Sequence, residues 1–295
     1  MDTTPNALSS DATVLRLVVP PEQTVPMVFA SPHSGRDYPP EFVAASQLDP
    51  VSLRRSEDSF VDELFACAPA LGAPLLAALF PRAFCDPNRE PYELDPAMFS
   101  GQLPEWANTR SPRVAAGLGT IARVVASGAE IYARRLPVAE VERRVGSFYR
   151  PYHERLCGLL EATRARFGWS LLIDCHSMPS VGGPMDRDPG LSRVDVVLGD
   201  CFGGACDPLF MQVAEERFAA LGYRVVRNTP YAGGFTTRHH GQPRTGSHAL
   251  QIEVNRALYM DENTHQRSAG FAPLAADIQR VAEALAAAAL EFRTA

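Results

Sequence analysis

Gly168-Trp169-Ser170-Leu171-Leu172-Ile173-Asp174-Cys175-His176-Ser177 decides the fold. Trp169 to Cys175 is a short, nearly unbroken apolar run between a glycine and a polar turn, the pattern of a strand buried on both faces. Other short runs of the same kind lie on either side of it: Val14–Val19, Val25–Ala30, Pro74–Phe80, Val194–Leu198, Tyr223–Arg227 and Leu250–Val254. Helical periodicity separates them. It covers Pro50–Leu71, Glu140–Phe167 with a bend expected at Pro151, Asp207–Leu221, and a closing alanine- and leucine-rich helix over Pro273–Phe292. Apolar strands alternating with helices predict an α/β fold with a central mixed, largely parallel sheet, flanked by helices on both faces. Residues 1–24 read as an N-terminal arm and 25–295 as one domain. Glu93–Arg113, rich in proline and polar residues, reads as an irregular excursion.

Composition narrows the chemistry. The chain has 295 residues, and all 28 of its basic residues are arginines. Without lysine there is no Schiff-base chemistry and no phosphate-binding loop of the kind that needs a lysine. Cationic work falls to guanidinium groups, which stay charged and grip carboxylates through paired hydrogen bonds. The net charge of −6, with no basic run, argues against a nucleic-acid surface. The longest apolar stretch, Ala282–Leu290, is too short for a membrane span. No secretory signal is legible at the start, and none of the six cysteines forms a C-x-x-C pair. The expectation is a cytoplasmic protein with reduced thiols and a small-molecule ligand.

Polar residues gather just after the strands, where open α/β sheets place their sites. His33 follows the strand Val25–Ala30, and His176 follows the central run. Two such histidines and one carboxylate make a three-ligand zinc site with a position left for water. Asp58 is the favoured carboxylate, with adjacent Glu57 and more distant Asp37 as alternatives. Asp174 is placed to hold the second nitrogen of His176. Glu253, inside the apolar strand Leu250–Val254, is either salt-bridged, with Arg256 a candidate, or a general base. The segment from Gly233 to Gly241 reads as a loop able to close over a ligand and bring Arg238 with it. Cys175 is a weaker candidate nucleophile, because a thiol against an apolar strand tends to stay protonated.

Several segments in order carry a resemblance. These are Ser31-Pro32-His33-Ser34-Gly35, Ser56-Glu57-Asp58, Arg82 with Asp86-Pro87-Asn88-Arg89, and Asp174-Cys175-His176-Ser177. Thr229 to Gly234, Thr237 to Gly241, and His248 to Glu253 with Tyr259-Met260-Asp261-Glu262 continue the series. The chain resembles the N-formylglutamate amidohydrolases, a branch of the zinc carboxypeptidase-like fold. That resemblance implies a hydrolase that releases formate from N-formyl-L-glutamate in histidine degradation, using Zn2+ or another divalent metal. It implies metal ligation by His33, Asp58 or Glu57, and His176. Asn88-Arg89 would hold a substrate carboxylate and Glu253 would act as base. Arg36 stands where the superfamily's first motif has an acidic ligand, so that ligand comes from elsewhere. Within the implied mechanism Arg82 and His239 are the oxyanion partners, and Arg238 is the second carboxylate clamp. The alternatives are a deacylase of another N-acyl amino acid, or a non-catalytic amino-acid-binding protein on the same scaffold.

Overall fold

A computed structural model describes residues 14–292; the first thirteen residues of the expected arm lie outside them. The core is a seven-stranded sheet. Its strands are β1 (Leu15–Val18), β2 (Met27–Ser31), β3 (Leu75–Ala78), β6 (Ser170–Met178), β7 (Val196–Gly199), β8 (Val225–Arg227) and β9 (Ser247–Asn255). Two short pairs stand apart from it, β4 (Phe99–Ser100) with β5 (Leu136–Pro137) and β10 (Met260–Asp261) with β11 (Gln266–Arg267). The order across the large sheet is β1-β3-β2-β6-β9-β7-β8. β1 on β3 and β7 on β9 are antiparallel, and the remaining neighbours are parallel. The sheet is therefore mixed and mostly parallel, as its near-continuous apolar strands require.

Among the described residues nine α-helices accompany it: α1 (Pro40–Ala45), α2 (Pro50–Leu53), α3 (Val61–Leu64), α4 (Pro112–Ala115), α5 (Ala139–Arg144), α6 (Arg150–Phe167), α7 (Pro208–Ala220), α8 (Phe235–His240) and α9 (Phe271–Glu291). The helices cover both faces, and the alternation of each strand sends its side chains into two separate cores. Ile173, Cys175, Ile252 and Val254 join α3, α7 and α9 in one apolar cluster. Leu172 and Ala249 join α6 and the residues after β3 in the other. Asp174, His176, Gln251 and Glu253 continue this second face toward the strands' carboxyl ends.

Three segments differ from their sequence pattern. The helix read over Pro50–Leu71 is broken, with Glu57 extended and Phe60 left-handed at φ 67°. The break turns Asp58 inward, where its backbone N–H donates to the His33 carbonyl at 3.0 Å. The helix read over Glu140–Phe167 is continuous through a π-turn at Val145–Tyr149, which takes up the irregularity just before Pro151. The glycine-rich loop winds into α8 directly after Gly234.

Candidate active site

Parallel pairing of β2 with β6 brings the two strand-end histidines together, with ring centroids 4.8 Å apart. Gly35 permits the turn after β2, because a Cβ there would fall 2.1 Å from the Phe80 carbonyl oxygen. Asp58 arrives from the broken helix. One ligand atom each from His33, Asp58 and His176 lie within 4.8 Å of one another, and all three residues are buried.

Each histidine is held from behind. His33 Nε2 lies 2.7 Å from Asp86 Oδ1, and His176 Nε2 lies 2.8 Å from Asp174 Oδ1. Each Nε2 therefore carries the hydrogen that it gives to its carboxylate, which turns the Nδ1 atoms inward. His33 Nδ1 and His176 Nδ1 stand 3.4 and 3.2 Å from the same atom, Asp58 Oδ2. His33 Nδ1 is buried with no hydrogen-bond partner. Lone pairs converging on one carboxylate oxygen repel unless a proton or a cation stands among them. Two imidazole nitrogens and a carboxylate oxygen, all buried and each braced from outside, could together hold a metal ion.

The charges follow from these contacts. Burial alone would raise the Asp58 carboxyl, but its contacts with His176 and His33 and the charge of Arg256 hold it well below its usual range. Burial likewise opposes charge on His176, yet Asp174, Asp58 and Glu253 together raise its pKa well above the ordinary value. Asp86, pushed up by burial, is brought well below its usual value by Arg82, His33 and Arg89.

Glu253 sits opposite His176 in the β6–β9 register. It receives a hydrogen bond from Gln251 Nε2 at 3.1 Å. Burial raises its pKa to about 7, with Asp58 adding to the rise and His176 and Arg82 opposing it. It is not paired with Arg256, which donates instead to Asp58 Oδ1 at 2.9 Å. Arg82 donates twice to Asp86 Oδ2 and lies close enough to feel the charges of Asp58 and Glu253.

The Asn88–Arg89 pair borders the same space. Asn88 Nδ2 is 3.3 Å from His176 Nε2, and its Oδ1 accepts from the Thr236 N–H at 2.8 Å. That contact depends on Gly234, where a Cβ would fall 2.2 Å from Asn88 Oδ1. Arg89 is buried, donates to the Leu118 and Asn88 carbonyls, and has its pKa lowered to about 10 by burial.

Other candidates lie elsewhere. The Glu57 carboxylate is taken by Arg54, Ser59 and Tyr38, and Asp37 is exposed. Arg238 and His239 are exposed on α8, and among the described residues no hydrogen bond, ion pair or ring contact joins them to the His33–Asp58–His176 cluster. Cys175 points to the opposite, apolar face, where burial holds its thiol protonated.

Some supporting residues carry no sequence signal of their role. Thr237 Oγ1 donates to Asp174 Oδ2 at 2.8 Å. His153 Nε2 donates to the Pro87 carbonyl at 2.8 Å, and its Nδ1 faces His240 Nε2 at 3.4 Å. This neutral pair braces the segment that carries Asp86 and Asn88. Among the bracing carboxylates, Asp174 was expected behind His176, and Asp86 had a cue in its place in the polar turn after an apolar strand.

Comparison with known proteins places this arrangement in context. The family model for N-formylglutamate amidohydrolase matches residues 25–260. An N-formylglutamate deformylase of Pseudomonas aeruginosa is 32% identical over 241 residues, covering 81% of this chain and 83% of that protein. The enzyme of the same name from Pseudomonas putida is 29% identical over 241 residues, with the same coverage. A crystal structure of N-formylglutamate amidohydrolase from Ralstonia eutropha superposes with a TM-score of 0.86 at 36% identity, covering 94% of this chain and 99% of that one. An Agrobacterium tumefaciens protein shares the fold, with a TM-score of 0.66 at 19% identity over 95% and 96% of the two chains.

Proposed function

Because the chain belongs to the N-formylglutamate amidohydrolase family, hydrolases of linear amide bonds, we propose that it converts N-formyl-L-glutamate to formate and L-glutamate, within histidine degradation in the cytoplasm. Residues 25–295 would form the catalytic unit, with 1–24 an arm ahead of it. One observation carries the reading: two braced imidazole Nδ1 atoms and Asp58 Oδ2 converge in a buried gap beside Glu253.

His33, Asp58 and His176 would hold a zinc or other divalent ion. Such an ion lowers the pKa of water toward ~7 and polarises a carbonyl oxygen. Glu253 takes the proton from the attacking water and returns it to the amide nitrogen as the carbon–nitrogen bond breaks. Collapse leaves formic acid and the free amine; the acid's proton then passes to the amine, giving formate and an ammonium group, and Glu253 ends unprotonated as it began. A pKa near 7 suits both transfers. Arg82, which feels the charges of Asp58 and Glu253, would meet the negative charge that develops on the former carbonyl oxygen.

The substrate carries two carboxylates. Asn88 and Arg89 would orient one of them. Arg238 and His239 lie on the exposed turn of α8, and would join the site through movement of the segment that starts at Gly233.

The deciding experiment pairs elemental analysis of the purified protein with a formate-release assay on N-formylglutamate, with and without chelator. About one metal per chain and chelator-sensitive formate release are expected. Undiminished turnover in metal-free protein would overturn the metal assignment, and no formate from N-formylglutamate would overturn the substrate.

A further inference from the structure

Asp58 is the carboxylate of the His33–Asp58–His176 group, and its two oxygens are used differently. Oδ2 faces His33 Nδ1 at 3.4 Å and His176 Nδ1 at 3.2 Å. Oδ1 accepts from Arg256 Nη2 at 2.9 Å. Both Asp58 and Arg256 are buried. Each histidine is backed by a carboxylate, whereas Asp58 is backed by a cation.

Arg256 stands directly after β9, and its guanidinium is held on three sides. Besides Asp58, it donates through Nη1 to the Arg55 carbonyl oxygen at 3.1 Å and through Nε to Ser177 Oγ at 3.2 Å. Arg55 belongs to the turn Arg54–Ser56, which leads into the break that brings Asp58 inward. Arg256 therefore holds the backbone just ahead of Asp58 as well as its carboxylate, and Ser177 ties it to the residue after His176. Asp58 is the only carboxylate within ion-pair distance of Arg256 among the described residues. A buried charge deprived of its partner is strongly destabilising. Turning Asp58 so that both oxygens face the histidines would deprive Arg256 of that partner.

The difference matters to a metal. Two imidazoles and one carboxylate oxygen leave a position for water on the ion. A carboxylate that gives both oxygens takes up a further position. We propose that Arg256 is a positioning residue that limits Asp58 to one ligating oxygen, Oδ2, and so keeps a coordination position open. The inference rests on the metal-dependent function proposed above and deepens it by naming what fixes the acidic ligand.

Two measurements test it. A crystal structure of the native chain loaded with zinc should show Oδ2 on the ion and Oδ1 still on Arg256. Oδ1 on the ion would overturn the inference. The second measurement replaces zinc with Co2+, whose visible absorption weakens as its coordination number rises. Arg256→Met keeps the bulk of the stem and removes the charge and the donors. It should weaken the cobalt band several-fold and lower kcat for N-formylglutamate by about tenfold or more, with little change in KM. Arg256→Lys should restore much of both, because the contact with Asp58 is a single N–H that an ammonium can supply. A native cobalt spectrum in Arg256→Met overturns the inference even if turnover falls, since a merely structural role leaves the ligand set unchanged. If that variant does not fold, the zinc-loaded native structure decides. Failure of the native chain to bind either ion would instead overturn the metal reading on which the inference rests.

Discussion

Two histidine pairs sit on the same side of the sheet and have opposite electrostatic characters. His33 and His176 are ringed by Asp58, Asp86 and Asp174, and the pKa of His176 is well above normal. His153 and His240, stacked 5.7 Å apart, touch a backbone carbonyl and each other. Burial lowers them to about 4 and about 3. Residue type is the same in the two pairs, and both are largely withdrawn from solvent, with His153 half-buried. The carboxylates at the first pair create a place for positive charge, and their absence from the second leaves a neutral brace.

The sharpest way to break this contrast is at the carboxylate that completes the charged pair's surroundings. Glu253→Gln keeps the shape of the strand and should lower kcat by roughly 10²–10⁴ while leaving metal content unchanged. Near-native kcat would remove Glu253 as the base. Next come the braces. Asp86→Asn and Asp174→Asn should each weaken metal affinity by about 10–100-fold, measured by competition with a chelator. Native affinity in both would mean that the outer carboxylates do not orient the imidazoles.

The neutral pair should show itself in acid. Free histidine in the unfolded chain binds protons near pH 6.5, whereas the folded pair binds them only near 4 and 3. The unfolded state then holds more protons, so stability falls as pH drops from about 6.5 toward 4. His153→Gln combined with His240→Gln should flatten this part of the slope, read from urea midpoints at pH 7 and pH 5. Equal slopes in the variant and the native chain would acquit the pair.

How much of this could be read in the sequence depends on whether the signal was local. β6 and β9 were legible because strands buried on both faces leave continuous apolar runs, and His33 and His176 because they follow such runs. Glu253 was conspicuous as a carboxylate in an apolar strand, though its split from Arg256 was not. Arg256 serves Asp58 through a contact between segments about two hundred residues apart, which no spacing rule reaches. The break at Phe60 was hidden for a related reason. Helical periodicity continues on both sides, and the inward turn of Asp58 is fixed by the distant His33 carbonyl. His153 lies on a helix face where its role comes wholly from the Pro87 loop packed over it.

The order of strands has a consequence for how the chain is made. β9, nearly the last strand in sequence, lies in the middle of the sheet between β6 and β7. At ~5–20 residues per second, the ribosome needs roughly 4–15 s to travel from Met178 to Asn255. Until β9 is made, the edges of β6 and β7 that will face it have no partner, and such edges invite pairing with other chains. The carboxylates and histidines along β6 also lack the strand that carries Glu253. The candidate centre is therefore completed late: His33, Asp58 and His176 precede Ser247 in the chain, Glu253 arrives only with β9, and a nascent chain that stalls before Ser247 lacks the central strand of its own sheet.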